Sequence, residues 1–219
     1  MTPKFIQANC IEGNRTDLRQ ARVVFERKPD IIFFEMPADT LAPLFNKYDP
    51  ERKPHEKVEK IKEYLTRASK KYPYARSDLR VWENIESLWR NGHNVLIYNI
   101  DAPQELRLRH NKYHTDTLYS VAKKDLSFCV YLYVRERYML KSINSALKNY
   151  REKRRPIVAV FLQSIHWDHV KFMMKNPSKE KIWQYYFGRF SNLKPSTIGE
   201  CIKREDKILY KYWKKIAQF

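Results

Sequence analysis

The chain has 219 residues, 31% of them charged, and its 43 lysines and arginines against 25 aspartates and glutamates give a formal net charge of +18. That length supports a real core, and a chain with only 4 glycines is not a glycine-rich flexible tract. No apolar run reaches the roughly 20 residues of a membrane-spanning helix, and no CxxC joins Cys10, Cys129 and Cys201, which excludes zinc-ribbon and thioredoxin-type chemistry.

The basic balance suits an anionic partner, nucleic acid or an acidic protein, and it equally suits a solvated lysine and arginine surface. Separated cysteines, odd in number and with no signal peptide before them, are expected of a reducing cytoplasm.

Lys4 to Ala8 reads as the first strand. Leu18, Ala21, Val24 and Phe25 then share one side of a helix. Ile31 to Phe34 is a second, buried strand ending on Glu35, where a carboxylate after four large apolar residues must be paired or solvated. Strand, helix and strand make a right-handed βαβ unit.

Val58, Ile61, Leu65 and Ala68 mark an amphipathic helix. A second, capped at Ser77-Asp78, carries Leu79, Trp82, Ile85 and Leu88 inward and stops at Gly92. A third strand, Asn94 to Ile100, ends on Asp101, and Pro103 suits the start of the next helix. The stretch from Lys123 or Asp125 to Arg151 reads as one long helix or two consecutive ones.

Pro156 closes the basic hinge REKRR, Arg151 to Arg155. Ile157 to Leu162 is a continuous apolar run of strand length, suited to a strand covered on both faces. QSIHWDH follows as a polar turn, with a helix from Val170 to Met174. Ile182, Trp183, Tyr186 and Phe187 form an aromatic face, and Pro195-Ser196 opens one last helix reaching Trp213.

The expected architecture is one α/β domain over residues 1–219, with a central mixed or mostly parallel sheet of at least four strands flanked by helices. Its helical insertions are residues 54–91 and 103–150, and its C-terminal part, 167–219, is helical.

Polar residues thus stand at four strand ends: Asn9/Cys10, Glu35, Asp101 and Gln163/His166. Parallel strands bring such ends to one edge, where open α/β sheets build sites. Glu, Asp and His together suit general acid–base work or a divalent ion, and Arg135 or Arg137 could stabilise developing negative charge. His110 and His114 are at i, i+4, a spacing that suits either a metal or a solvated pair, although HNKYH lacks the glutamate of HExxH. HWDH offers His166, Asp168 and His169 as another chelating set.

The order of these pieces resembles the TraB/Tiki-type hydrolases, within the wider erythromycin-esterase and ChaN-like superfamily. KPDIIFFEMP is similar to the family's second strand, and GHNVLIYNIDAP to its third, which ends near an aspartate. RERYMLKSIN matches its helix-opening arginine, and IVAVFLQSIHWDHV its last strand running into a GxxH motif. The likeness spans roughly residues 4 to 174. At the first GxxH position the chain reads QANC, with Cys10 where the family has histidine, and at the second it reads QSIH and keeps His166.

The resemblance implies a hydrolase, a divalent-metal-dependent peptidase or esterase, with its site at the strand C-terminal ends. Glu35 and His166 would serve as metal ligands or bases, Asp101 would orient them, Arg135 would stabilise charge, and Cys10 would be a third ligand to Mn, Co or Zn. The alternative, which rests on the +18 charge, is a non-catalytic relative that binds nucleic acid or an acidic protein through its basic surface.

Overall fold

The computed structural model describes residues 2–11, 15–16, 18–37, 54–70, 74–93, 95–109, 125–150, 154–176, 178–190 and 192–216. It is an α/β fold. The strands are β1 (Lys4–Ile11), β2 (Arg15–Thr16), β3 (Ile31–Pro37), β4 (Leu96–Asp101) and β5 (Ile157–Leu162), ordered β2-β1-β5-β3-β4 in one sheet. All but β2 run parallel, and β2 pairs antiparallel with β1.

The described helices are α1 (Leu18–Glu26), α2 (Pro54–Ser69), α3 (Tyr74–Arg90), α4 (Gln104–Arg107), α5 (Leu126–Asn149), α6 (Ser164–Lys175), α7 (Lys179–Phe187), α8 (Pro195–Glu205) and α9 (Lys207–Ile216). Among the described residues no helix is long and apolar enough to cross a membrane.

The described residues divide into two compact units. One holds those within Met1–Met36, Thr40–Asn99 and Ala146–Trp167, the other those within Pro37–Asp39, Ile100–Ser145 and Asp168–Phe219.

In the first unit β1, α1 and β3 form the expected crossover, but β5 lies between the two strands. Lys4 to Asn9 align with Ile157 to Leu162, and Ile31 to Phe34 with Val158 to Phe161. Side chains alternate along each strand. Ile32 and Phe34 therefore share a face with Ala159 and Phe161, and these four join Ala21, Val24 and Phe25 of α1 in the buried core with Trp82 and Ile85 of α3. Phe34 stacks on Phe161 at 5.1 Å and on Trp82 at 5.6 Å, ring contacts that add to the area they bury.

Ile31, Phe33 and Glu35 belong to the opposite face, on which Phe33 meets Tyr98 at 5.9 Å and Phe5 meets Trp167 at 5.2 Å. At the other end of the strands Asp30 ties β3 to β5. Its carboxylate accepts the Ile157 N–H at 2.8 Å and pairs with Arg154, so part of the basic hinge serves the sheet. Arg151 to Lys153 lie outside the described residues.

α3 begins at Tyr74, ahead of the Ser77-Asp78 cap that the pattern suggests. It ends as expected at Gly92, whose positive φ of 74° lets His93 N–H reach Leu88 O and Gly92 N–H reach Trp89 O. α5 is a single helix. In place of the expected polar turn, α6 starts at Ser164, one residue past β5, so His166 and His169 sit on helical turns. The expected last helix is two, because Asp206 leaves helical geometry and its carboxylate accepts the N–H groups of Ile208 and Leu209 as a cap.

Candidate functional site

In the first unit the chain brings two of the expected site residues together. Glu35 ends the apolar run of β3, beside the end of β5 in the register that aligns Phe34 with Phe161. Its Oε2 accepts the Gln163 N–H at 2.8 Å, which satisfies the first backbone donor beyond β5. That bond fixes the carboxylate and directs Oε1 toward His166, in the first turn of α6. The His166 Nε2 lies 3.8 Å from Oε1, and the two side chains are 4% and 5% exposed. This separation is longer than a hydrogen bond. The pair is desolvated, which strengthens the electrostatic coupling between its members. Cys10 belongs to β1, where its backbone pairs with Thr16. Its side chain lies outside the described residues, as do His110 and His114.

In the second unit Asp101 and Arg135 form a bidentate pair. Arg135 Nε donates to Oδ1 at 2.8 Å and Nη2 to Oδ2 at 2.7 Å. Oδ1 also accepts the Ala102 N–H at 2.7 Å, and Arg107 approaches Oδ2 at 3.4 Å. Both members of the pair are buried.

Burial pushes the neighbouring Tyr131 hydroxyl up to about 12, with Arg135 drawing it down and Asp101 adding to the rise. The phenol therefore stays protonated in the fold above the pH, about 10, at which the unfolded chain ionises. Its contribution to stability is complete below about pH 10 and is lost as pH climbs through 12. Two pH units of linkage amount to about 2–3 kcal/mol. Urea midpoints should fall between pH 10 and 12, and Tyr131→Phe should flatten that fall. Equal slopes for both proteins would contradict the assignment.

Sequence reasoning missed a second buried cluster in this unit. Glu136, fully buried on α5, accepts from His169 Nδ1 at 2.8 and 2.9 Å and from the Tyr186 hydroxyl. The signal was present: the apolar run Phe128 to Val134 is followed at once by Arg135 and Glu136, the same pattern that singles out Glu35. HWDH does not act as one set, since Asp168 points outward and pairs with Lys171 at 2.7 Å while His169 turns to Glu136. Among the described residues no group of three or more His, Cys, Asp and Glu is disposed to hold a metal ion.

Compared with protein-family models, curated proteins and solved structures, the chain matches none.

Proposed function

We propose that the protein is a hydrolase of the TraB/Tiki type, acting on ester or peptide bonds, and that Glu35 and His166 are its reacting pair. The observation that carries this reading is the 3.8 Å approach of two buried, oppositely suited groups at the C-terminal ends of adjacent central strands. A carboxylate only accepts hydrogen bonds, so once the pair closes from 3.8 Å to hydrogen-bond distance Oε1 takes the proton-bearing Nε2. Nδ1 is then the basic nitrogen. It takes a proton from water as the water oxygen bonds to the substrate carbonyl carbon, and Glu35 stabilises the imidazolium that forms. The proton passes to the departing alkoxide or amine as the bond to the carbonyl carbon breaks. Such pairs are often long in empty sites and tighten around substrate.

A divalent ion would polarise the carbonyl or activate water. Zinc sites use three protein donors or more, and the described residues supply two at this position, so the steps above use the chain's own groups. In this reading Asp101 and Arg135 neutralise each other and support the fold of the second unit.

The experiment is a panel of p-nitrophenyl esters and fluorogenic peptides, assayed with EDTA and with added Mn²⁺, Co²⁺ or Zn²⁺. Turnover of at least one class, lost in His166→Ala while its circular dichroism stays that of the folded wild type, is expected. Hydrolysis that survives His166→Ala, or none in any class under any metal condition, would overturn the proposal. An ion that raises the melting temperature of the wild type and not of Glu35→Gln would add a metal to the site, since ligands of the folded state stabilise it by mass action.

A further inference from the structure

The second unit contains a cleft of about 690 Å³ between α5 and the C-terminal end of α9. Arg137, Lys141 and Asn144 line it from α5, at positions i, i+4 and i+7 of one helical face, and Lys214 and Lys215 close it from α9. Four cations thus meet in one concavity. None of them pairs with a described carboxylate. Lys215 acts on Glu105, a carboxylate held below its usual range chiefly by hydrogen bonds from Lys211 and Tyr212, and lies 5.6 Å from the centre of the Tyr212 ring. Like charges at i, i+4 on a helix repel. The two lysines at the end of α9 gain something from the helix dipole, but no described carboxylate forms an ion pair with any of the four.

The rest of the lining is not that of a general basic surface. Leu140 and Ile216 add apolar area, and the Tyr138 ring, held edge-on to Tyr212 at 5.5 Å, adds an aromatic wall. The volume lies within the range of small-molecule sites, roughly 300–1,000 Å³. Arginine matches two phosphate oxygens at once, while lysines act as point charges that follow a chain of phosphates.

We propose that this cleft binds a small organic polyphosphate, of the nucleoside di- or triphosphate class. The phosphates lie among Arg137, Lys141, Lys214 and Lys215, and the organic part lies against Tyr138 and the apolar wall. The site belongs to the second unit and stands independently of the Glu35–His166 reading.

Isothermal titration of the full chain at physiological ionic strength tests it, with ATP as probe, tripolyphosphate as competitor and a 12-nucleotide oligothymidylate as the nucleic-acid arm. ATP should saturate a single site, and tripolyphosphate should displace it. Lys141→Glu with Lys214→Glu should weaken ATP at least tenfold, and Arg137→Gln should act in the same direction. Lys141 and Lys214 are exposed, so both can be replaced without entering the core. Lys175→Glu with Lys181→Glu changes the net charge equally at exposed positions outside the cleft lining and should leave affinity within twofold. Equal weakening by both charge-reversed pairs would overturn the site in favour of diffuse attraction, which is screened and lacks a defined position. So would the absence of saturable ATP binding, or ATP that tripolyphosphate fails to displace. Oligothymidylate binding that ATP does not displace, without an ATP site, would replace the proposal with a nucleic-acid surface.

Discussion

Asp101→Ala should destabilise the protein by about 3–5 kcal/mol, because it leaves the Arg135 guanidinium buried with its main counter-charge removed. The pair's side chains are 0% and 4% exposed, so water cannot replace the two hydrogen bonds and the charge that Asp101 supplies. The loss also strips the Ala102 N–H of its acceptor and leaves Arg107 facing a second cation where a carboxylate stood. The size of this effect measures the broken pair, not the value of the pair itself. An ion pair taken out of water gives back much of its Coulomb energy as desolvation. The double variant Asp101→Leu, Arg135→Met should therefore recover much of the stability that the single change removes. Urea unfolding midpoints of the three proteins decide it. A loss below about 1 kcal/mol for Asp101→Ala would mean that the guanidinium reaches solvent or another anion.

The parts of this fold that were legible are those in which a local rule agrees with the tertiary outcome. Ile157 to Leu162 forms a strand with the expected bounds, because a run of β-branched and aromatic residues ended by proline on one side has few other solutions. Gly92 stops α3 for a purely backbone reason. The placement of β5 between β1 and β3 was not legible, since strand order depends on pairings between residues about 150 positions apart. QSIHWDH misled for a different reason. Its polar residues look like a turn, but Trp167, Val170 and Met173 lie three apart and are buried, and that sparse stripe is enough to make a helix. Asp206 is a residue type that caps helices, but the apolar pattern continues across it, so the break shows only in the fold.

The candidate site shows the same division. Glu35 was conspicuous as a carboxylate ending an apolar strand, and His166 as the histidine after the last one. Their approach follows from β3 and β5 being neighbours, which only the fold establishes. Glu136 carried an equally strong sign within α5, but its partners His169 and Tyr186 come from two later helices, and no spacing in the sequence points to them.

A double-mutant cycle on hydrolysis decides whether Glu35 and His166 act together, using the best substrate of the panel with wild type, Glu35→Gln, His166→Ala and the double variant. Removing a general base costs about 10²–10⁴ in rate, and residues that act as one unit give losses that do not add. His166→Ala should lower kcat/KM by at least about 10². Glu35→Gln, whose imidazole remains, should lose less, and the double variant should be no slower than His166→Ala alone. All four proteins should stay folded, with His166→Ala melting below the wild type because it opens a cavity and leaves the Glu35 carboxylate buried beside it, while the Phe34–Phe161–Trp82 core is untouched. Losses that multiply in the double variant, or a Glu35→Gln protein as active as the wild type, would contradict the claim that these two side chains act as one catalytic pair.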